Sequence, residues 1–189
     1  MNPTPMVSIV GASGSGKTTF LTRLIPELRA RGYCVAVIKH HPHAGLETDT
    51  PGKDTWRLMQ AGAVQVTLAA PDQLVHRRKL AHERSPEEIA AEIRGVDLIL
   101  TEGYKGERLL KVEINRRAHH PTLISPRAEL LAIVSDQHFN VSAPQFDLED
   151  ISGVADLIEA HVLRHVERGL SKDDPGGSEA RDHPATGSG

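Results

Sequence analysis

The residues with the plainest chemistry lie near the amino terminus. Gly11-Ala12-Ser13-Gly14-Ser15-Gly16-Lys17-Thr18 matches the spacing G-x-x-x-x-G-K-[ST]. Glycines at 11, 14 and 16 let a backbone wrap around phosphate oxygens and turn its N–H groups inward. A helix opening near Lys17 adds the positive end of its dipole. Lys17 is placed to reach the β- and γ-phosphates, and the Thr18 hydroxyl to hold Mg²⁺. Ser13, Ser15 and Thr19 complete the candidate phosphate contacts. The motif sits between an apolar run, Met6–Val10, and a helical stripe, the context it requires. A nucleoside triphosphate site is the expectation.

Such a site needs a carboxylate for the metal or its waters. The segment Asp97-Leu98-Ile99-Leu100-Thr101-Glu102-Gly103 has an acid at each end of an apolar strand. Glu102 lies at the carboxyl end, where ligands bind, so it is the candidate metal-side and catalytic acid; Asp97 reads as a solvated strand start. A second acidic group is Asp49-Thr50-Pro51-Gly52-Lys53-Asp54. Pro51-Gly52 makes a turn, and Asp54 reads either as the cap of a helix through Trp56 to Ala61 or as a catalytic acid. Asp49 then remains for an outer-sphere metal or water-positioning role. His40, His41 and His43, among eleven histidines, follow the second strand. They suit either a transition-metal clip or a polar loop beside the nucleotide. His76-Arg77-Arg78-Lys79 and Arg116-Arg117 are small basic groups, read as solvated surface or as a grip on an anionic partner or a substrate phosphate.

Strands are expected at Met6–Val10, Cys34–Ile38, Val64–Ala69, Leu98–Thr101, Leu109–Asn115 and Leu130–Ser135. Helices are expected over Lys17–Arg31, stopped by Gly32 and kinked at Pro26, and over Ile151–Val166. Another opens at the capping box Ser85-Pro86-Glu87-Glu88 and runs to about Arg94. This alternation implies an α/β fold of the P-loop type, a mostly parallel central sheet with helices on both faces. Leu109–Asn115 has period-two polarity and, on the condition that it is an exposed edge, pairs across a two-fold axis. Residues 1–170 form one nucleotide-binding domain. In the final segment, 171–189, no aliphatic residue is larger than alanine, and disorder is expected there.

The 189 residues carry a formal charge of −3, of which the final segment supplies −2. That balance excludes a bulk polyanion binder such as a nucleic-acid protein. No apolar run is long enough to span a membrane, and a cytoplasmic location is expected. Cys34 is the lone cysteine, which excludes an internal disulfide.

Five blocks between Val7 and Asp136 closely resemble the molybdopterin-guanine dinucleotide biosynthesis adaptor family, MobB: GASGSGKTT, VIKHHPH, DTPGKDTWRLMQAGA, LTEGYK and KVEINR. The phosphate loop is common to many families; the DTPGKD block at Asp49–Asp54 is much more particular. The resemblance implies a GTP-binding member of the SIMIBI branch of P-loop proteins, dimeric, with slow GTP hydrolysis. It implies a partnership with the nucleotidyltransferase MobA, which attaches GMP to the molybdenum–pterin cofactor, and contact with molybdopterin or a molybdoenzyme. It places GTP and Mg²⁺ at Gly14, Gly16, Lys17 and Thr18, with Asp49 and Glu102 as metal-side acids. No N-K-x-D motif is present, so Asp136 is the positional candidate for the base. Pro42 stands where the family commonly has an Asp between histidines, which leaves His40–His43 without an assigned role. Two alternatives remain: a nickel or zinc metallochaperone GTPase using His40, His41 and His43, and a small-molecule kinase with Arg77–Arg84 as its lid.

Overall fold

A computed structural model describes residues 3–46 and 48–163. Its principal sheet contains β1 (Met6–Val10), β2 (Val35–Lys39), β5 (Leu98–Glu102), β6 (Leu110–Asn115), β7 (Leu130–Ser135) and β8 (Gln145–Phe146). They lie in the order β2-β5-β1-β6-β7-β8, and every neighbouring pair is parallel. Helix α1 (Lys17–Ala30) lays Phe20, Leu21, Leu24 and Leu28 on one face of the sheet. Val154, Ala155 and Ile158 of α4 (Ile151–Ile158) join them there. The other face is covered around Ile99 by residues of and after α3 (Pro86–Ala90), together with Tyr104. Both faces of β1 and β5 are therefore dry, which explains their largely apolar runs, and the buried Ser8 and Thr101 hydroxyls bond each other.

Helix α1 continues through exposed Pro26 and ends as expected beside Gly32, whose φ of +96° suits glycine. Arg31 then fastens α1 to α4. Its guanidinium meets Asp156 at 2.5 Å and Glu27 at 2.8 Å, and it also reaches Glu159. At Ser85 both halves of the capping box form, although α3 stops at Ala90 rather than near Arg94. Helix α4 gives way to a π-helical turn, Glu159–Leu163. The end of the expected final helix, and the tail 171–189, lie outside the described residues.

Two expectations need correction. Val64–Ala69 becomes β3 (Gln65–Ala69), but it does not enter the main sheet. It pairs antiparallel with β4 (Leu74–Arg78), a strand the sequence reading did not find, in a separate hairpin. The short turn at Ala70–Gln73, closed by the Ala70 N–H on the Gln73 carbonyl, leaves the two strands only each other to pair with.

The second correction concerns β6, which lies between β1 and β7 and is no edge. Its alternation has another cause. Val112 and Ile114 enter the apolar core, while Lys111, Glu113 and Asn115 share the opposite face and are equally buried. The chain after β6 returns over that polar face instead of a helix. Glu113 accepts from the Ile124 and Ser125 amides at 2.8 and 2.9 Å. Asn115 donates to the Thr122 carbonyl at 3.0 Å, and Lys111 pairs with Glu129 and the Lys105 carbonyl. Burial of these groups is tolerated because each has partners. A polar stripe that looks solvated in the sequence instead anchors a loop.

Removing one rung should therefore be costly. Glu113→Ala should lower unfolding stability by about 3 kcal/mol, since a buried carboxylate and its two charge-assisted bonds to the half-buried Ile124 and Ser125 amides disappear. A denaturant midpoint that falls with an unchanged slope, plus faster amide exchange at Ile124 and Ser125, would register it.

Candidate nucleotide site

Between β1 and α1 the chain forms a glycine-dependent cradle. Gly11, Gly14 and Gly16 have φ of +153°, +75° and +94°. Gly11 is the tightest: a Cβ there would stand 2.3 Å from the Ile114 carbonyl oxygen and 2.6 Å from Ser15 Oγ. Ser15 is buried, and its Oγ is the one buried side-chain polar atom among the described residues without a partner. Such an orphan inside a glycine cradle fits an incoming phosphate oxygen. Ser13 and Thr19 are exposed at the rim.

Lys17 turns back across the loop, with Nζ 2.7 Å from the Ala12 carbonyl and 3.2 Å from that of Gly11. Burial pushes its ammonium below the usual lysine range; Lys105 and Lys39 lower it further, while Glu102 opposes them. A polyphosphate would supply the negative charge this group lacks.

Thr18 Oγ1 lies 2.8 and 3.0 Å from the two oxygens of Glu102, and Lys39 Nζ is 3.2 Å from one of them. Strand register explains the meeting, because Glu102 stands level with Ile9 of β1 and Lys39 of β2. Hydroxyl and carboxylate are hard donors that suit Mg²⁺. No three His, Cys, Asp or Glu residues among those described are grouped to hold a metal. A magnesium ion here would complete its shell with phosphate oxygens and water, its usual habit beside nucleotides.

Asp49 is held elsewhere. It accepts from Arg77 at 3.1 Å, Thr55 at 3.0 Å and the Thr50 amide at 2.9 Å, linking the segment after β2 to β4 and to α2 (Asp54–Gln60). Asp54 opens α2, but Lys53 occupies the cap position and no side-chain cap bond forms. The three histidines diverge. His40 bonds Glu83 at 2.6 Å and stacks on Tyr104, whereas His41 and His43 meet only each other, edge to face. Arg78 and Arg84 both bind Glu92 and hold its carboxyl down to about 2.

Sequence reading named Arg116 only within a basic pair for an anionic partner or a substrate phosphate, and it missed two further neighbours of the loop, His119 and Lys39. Arg116 Nε donates to the Ser15 carbonyl at 3.1 Å and its guanidinium lies over Gly16, while the His119 ring lies over Gly14. Lys39 is the other omission, at the end of an apolar strand beside Glu102. Asp136 accepts from the Arg117 amide at 2.8 Å.

Comparison with known proteins identifies the family. The family model described as Molybdopterin guanine dinucleotide synthesis protein B matches residues 6–136. A molybdopterin-guanine dinucleotide biosynthesis adapter protein from Haemophilus influenzae is 36% identical over 160 residues, 84% of this chain and 89% of that protein. Its Escherichia coli counterpart is 33% identical over 165 residues, 82% of this chain and 91% of that one. The crystal structure of Bacillus subtilis MobB superimposes with a TM-score of 0.68 at 26% identity, over 84% of this chain and 98% of that chain.

The cradle carries a direct prediction. Gly11→Ala should cost well over ~2 kcal/mol, because a backbone carbonyl blocks the new methyl. Gly32→Ala, with open space around it, should cost only about 1–2 kcal/mol. Thermal unfolding of the two variants measures the difference.

Proposed function

The chain belongs to the molybdopterin guanine dinucleotide synthesis protein B family, and from that premise we propose that it is a GTP-binding, slowly hydrolysing adaptor that serves a MobA-like nucleotidyltransferase. The observation that carries the nucleotide half is the cradle with its orphaned Ser15 Oγ beside the Thr18–Glu102 pair. Gly11 to Gly16 present backbone N–H groups to the β-phosphate, and Lys17 leaves the Ala12 carbonyl to take the β- and γ-oxygens. Thr18 and Glu102 hold Mg²⁺, which when bound neutralises charge on the β- and γ-oxygens. Lys39, now paired with Glu102, is released toward the phosphates.

Slow turnover has a structural reason in this reading. Asp49, the second acid, is engaged by Arg77 and Thr55, so it is not free to orient water until the segment after β2 rearranges. Its role is therefore outer-sphere and conditional. The hairpin supplies the adaptor surface: Leu68, Leu74 and Val75 are each more than half exposed, as is nearby Val64. An apolar surface of this kind supports a homodimer and a docking face for the nucleotidyltransferase, with molybdopterin or a molybdoenzyme as a further contact. Among the described residues no helix is long and apolar enough to cross a membrane. The divergent histidines give a metallochaperone no clip, and Arg77, Arg78 and Arg84 are committed to Asp49 and Glu92 rather than free as a kinase lid.

Two measurements test the reading. Lys17→Ala should abolish GTP binding in calorimetry, and retained affinity would remove the phosphate-loop assignment. Asp49→Asn should lower single-turnover hydrolysis by about 10²-fold while GTP affinity stays within about threefold.

A further inference from the structure

Accepting the GTP reading leaves open how the base is told from adenine. Guanine's edge offers O6 as acceptor and the N2 amino group as donor, with the N1–H between them. An exposed carboxylate matches the two donors. It faces an acceptor, adenine N1, in the competing base.

The ends of β6 and β7 hold one such carboxylate in a fixed frame. Asn115 stands level with Ser135 across the two strands. Its amide is fully committed: Nδ2 donates to the Thr122 carbonyl at 3.0 Å, and Oδ1 accepts from Gln137 Nε2 at 2.8 Å. Ser135 Oγ in turn accepts from the Gln137 amide at 3.1 Å. Asp136 sits between these two locked residues. One of its oxygens accepts from the Arg117 amide at 2.8 Å, and the other has no partner among the described residues. Asp136 lines a cleft of about 340 Å³ together with Gln137, His138, Phe146 and Asp147, a size that suits a base.

The frame is joined to the phosphate loop. Arg116, next in sequence to Arg117, donates to the Ser15 carbonyl and lies over Gly16. The distance between the phosphate cradle and the carboxylate is thereby set by two consecutive residues, and the Arg116 guanidinium offers a planar face on which a ring can stack.

We propose that Asp136, locked by Asn115 and Gln137, reads the guanine edge with its free carboxylate oxygen, and that Arg116 ties this reader to the phosphate loop and stacks on the base. An N-K-x-D run is not needed, because the acid comes from the end of the adjacent strand. Asn115 and Gln137 act as positioning residues, since their polar groups are used internally.

Calorimetric titration of the full chain with GTP, ATP and xanthosine triphosphate tests the assignment. Asp136→Asn keeps an oxygen for the Arg117 amide and replaces the free oxygen with an amino group, which matches the 2-carbonyl of xanthine. Wild type should prefer GTP over both others; Asp136→Asn should lose about 10²-fold in GTP affinity and gain xanthosine triphosphate binding. Arg116→Ala should weaken GTP about tenfold with its preference over xanthosine triphosphate unchanged. Unaltered GTP affinity in Asp136→Asn, or an equal loss for all three nucleotides, would overturn the proposal while the GTP reading stands. Wild-type protein that binds ATP and GTP alike, or neither, would instead overturn the GTP reading and this inference with it.

Discussion

The site depends on how closely β1 and β6 approach at their carboxyl ends. Gly11 follows β1 so near the Ile114 carbonyl that no side chain fits, and the backbone must turn outward into the cradle. Because β1 lies between β5 and β6, that turn opens between two strand ends that carry polar groups. Glu102 arrives from one side and Arg116 from the other. The parallel sheet thus sets which residues meet the phosphate loop, and the helices serve to keep the sheet dry on both faces. The polar ladder of β6 secures the second flank by tying the loop after it to buried carboxylate, amide and ammonium groups.

Charge is organised on the same local scale. Under the proposed function, a chain with formal charge −3 would hold a triphosphate through a few groups brought together: Lys17, with Lys39 and Lys105 near enough to depress it, and one acid, Glu102. Lys39 and Lys105 oppose the charge on Lys17, and an anion bound there would offset them. The Lys39–Glu102 pair is a temporary arrangement in this account, because the metal and phosphates compete for both partners.

Much of this was legible from sequence because the relevant signals are local. The phosphate loop, the strands β1, β5 and β7, the capping box at Ser85 and the Gly32 stop all rest on residues within a few positions of one another. The meeting of Thr18 and Glu102 was legible because strand ends in parallel sheets share one rim. What failed was long-range. Alternation in β6 could not be told from an edge strand, since the loop that buries Lys111, Glu113 and Asn115 is recognisable only once folded. The hairpin was half seen because His76, Arg77 and Arg78 in β4 resemble a basic surface run more than a strand. Arg116 was marked as part of a basic pair, but its contact with the loop was not legible, because 101 positions separate it from Ser15.

The central claim is that Thr18 and Glu102 form the metal side of a GTP site. Equilibrium titration of GTP with and without Mg²⁺, in wild type and in Glu102→Gln, tests it most directly. Magnesium should tighten GTP binding to the wild type, and Glu102→Gln should lose that gain while keeping the affinity measured without metal. An equal magnesium dependence in both proteins would contradict the account.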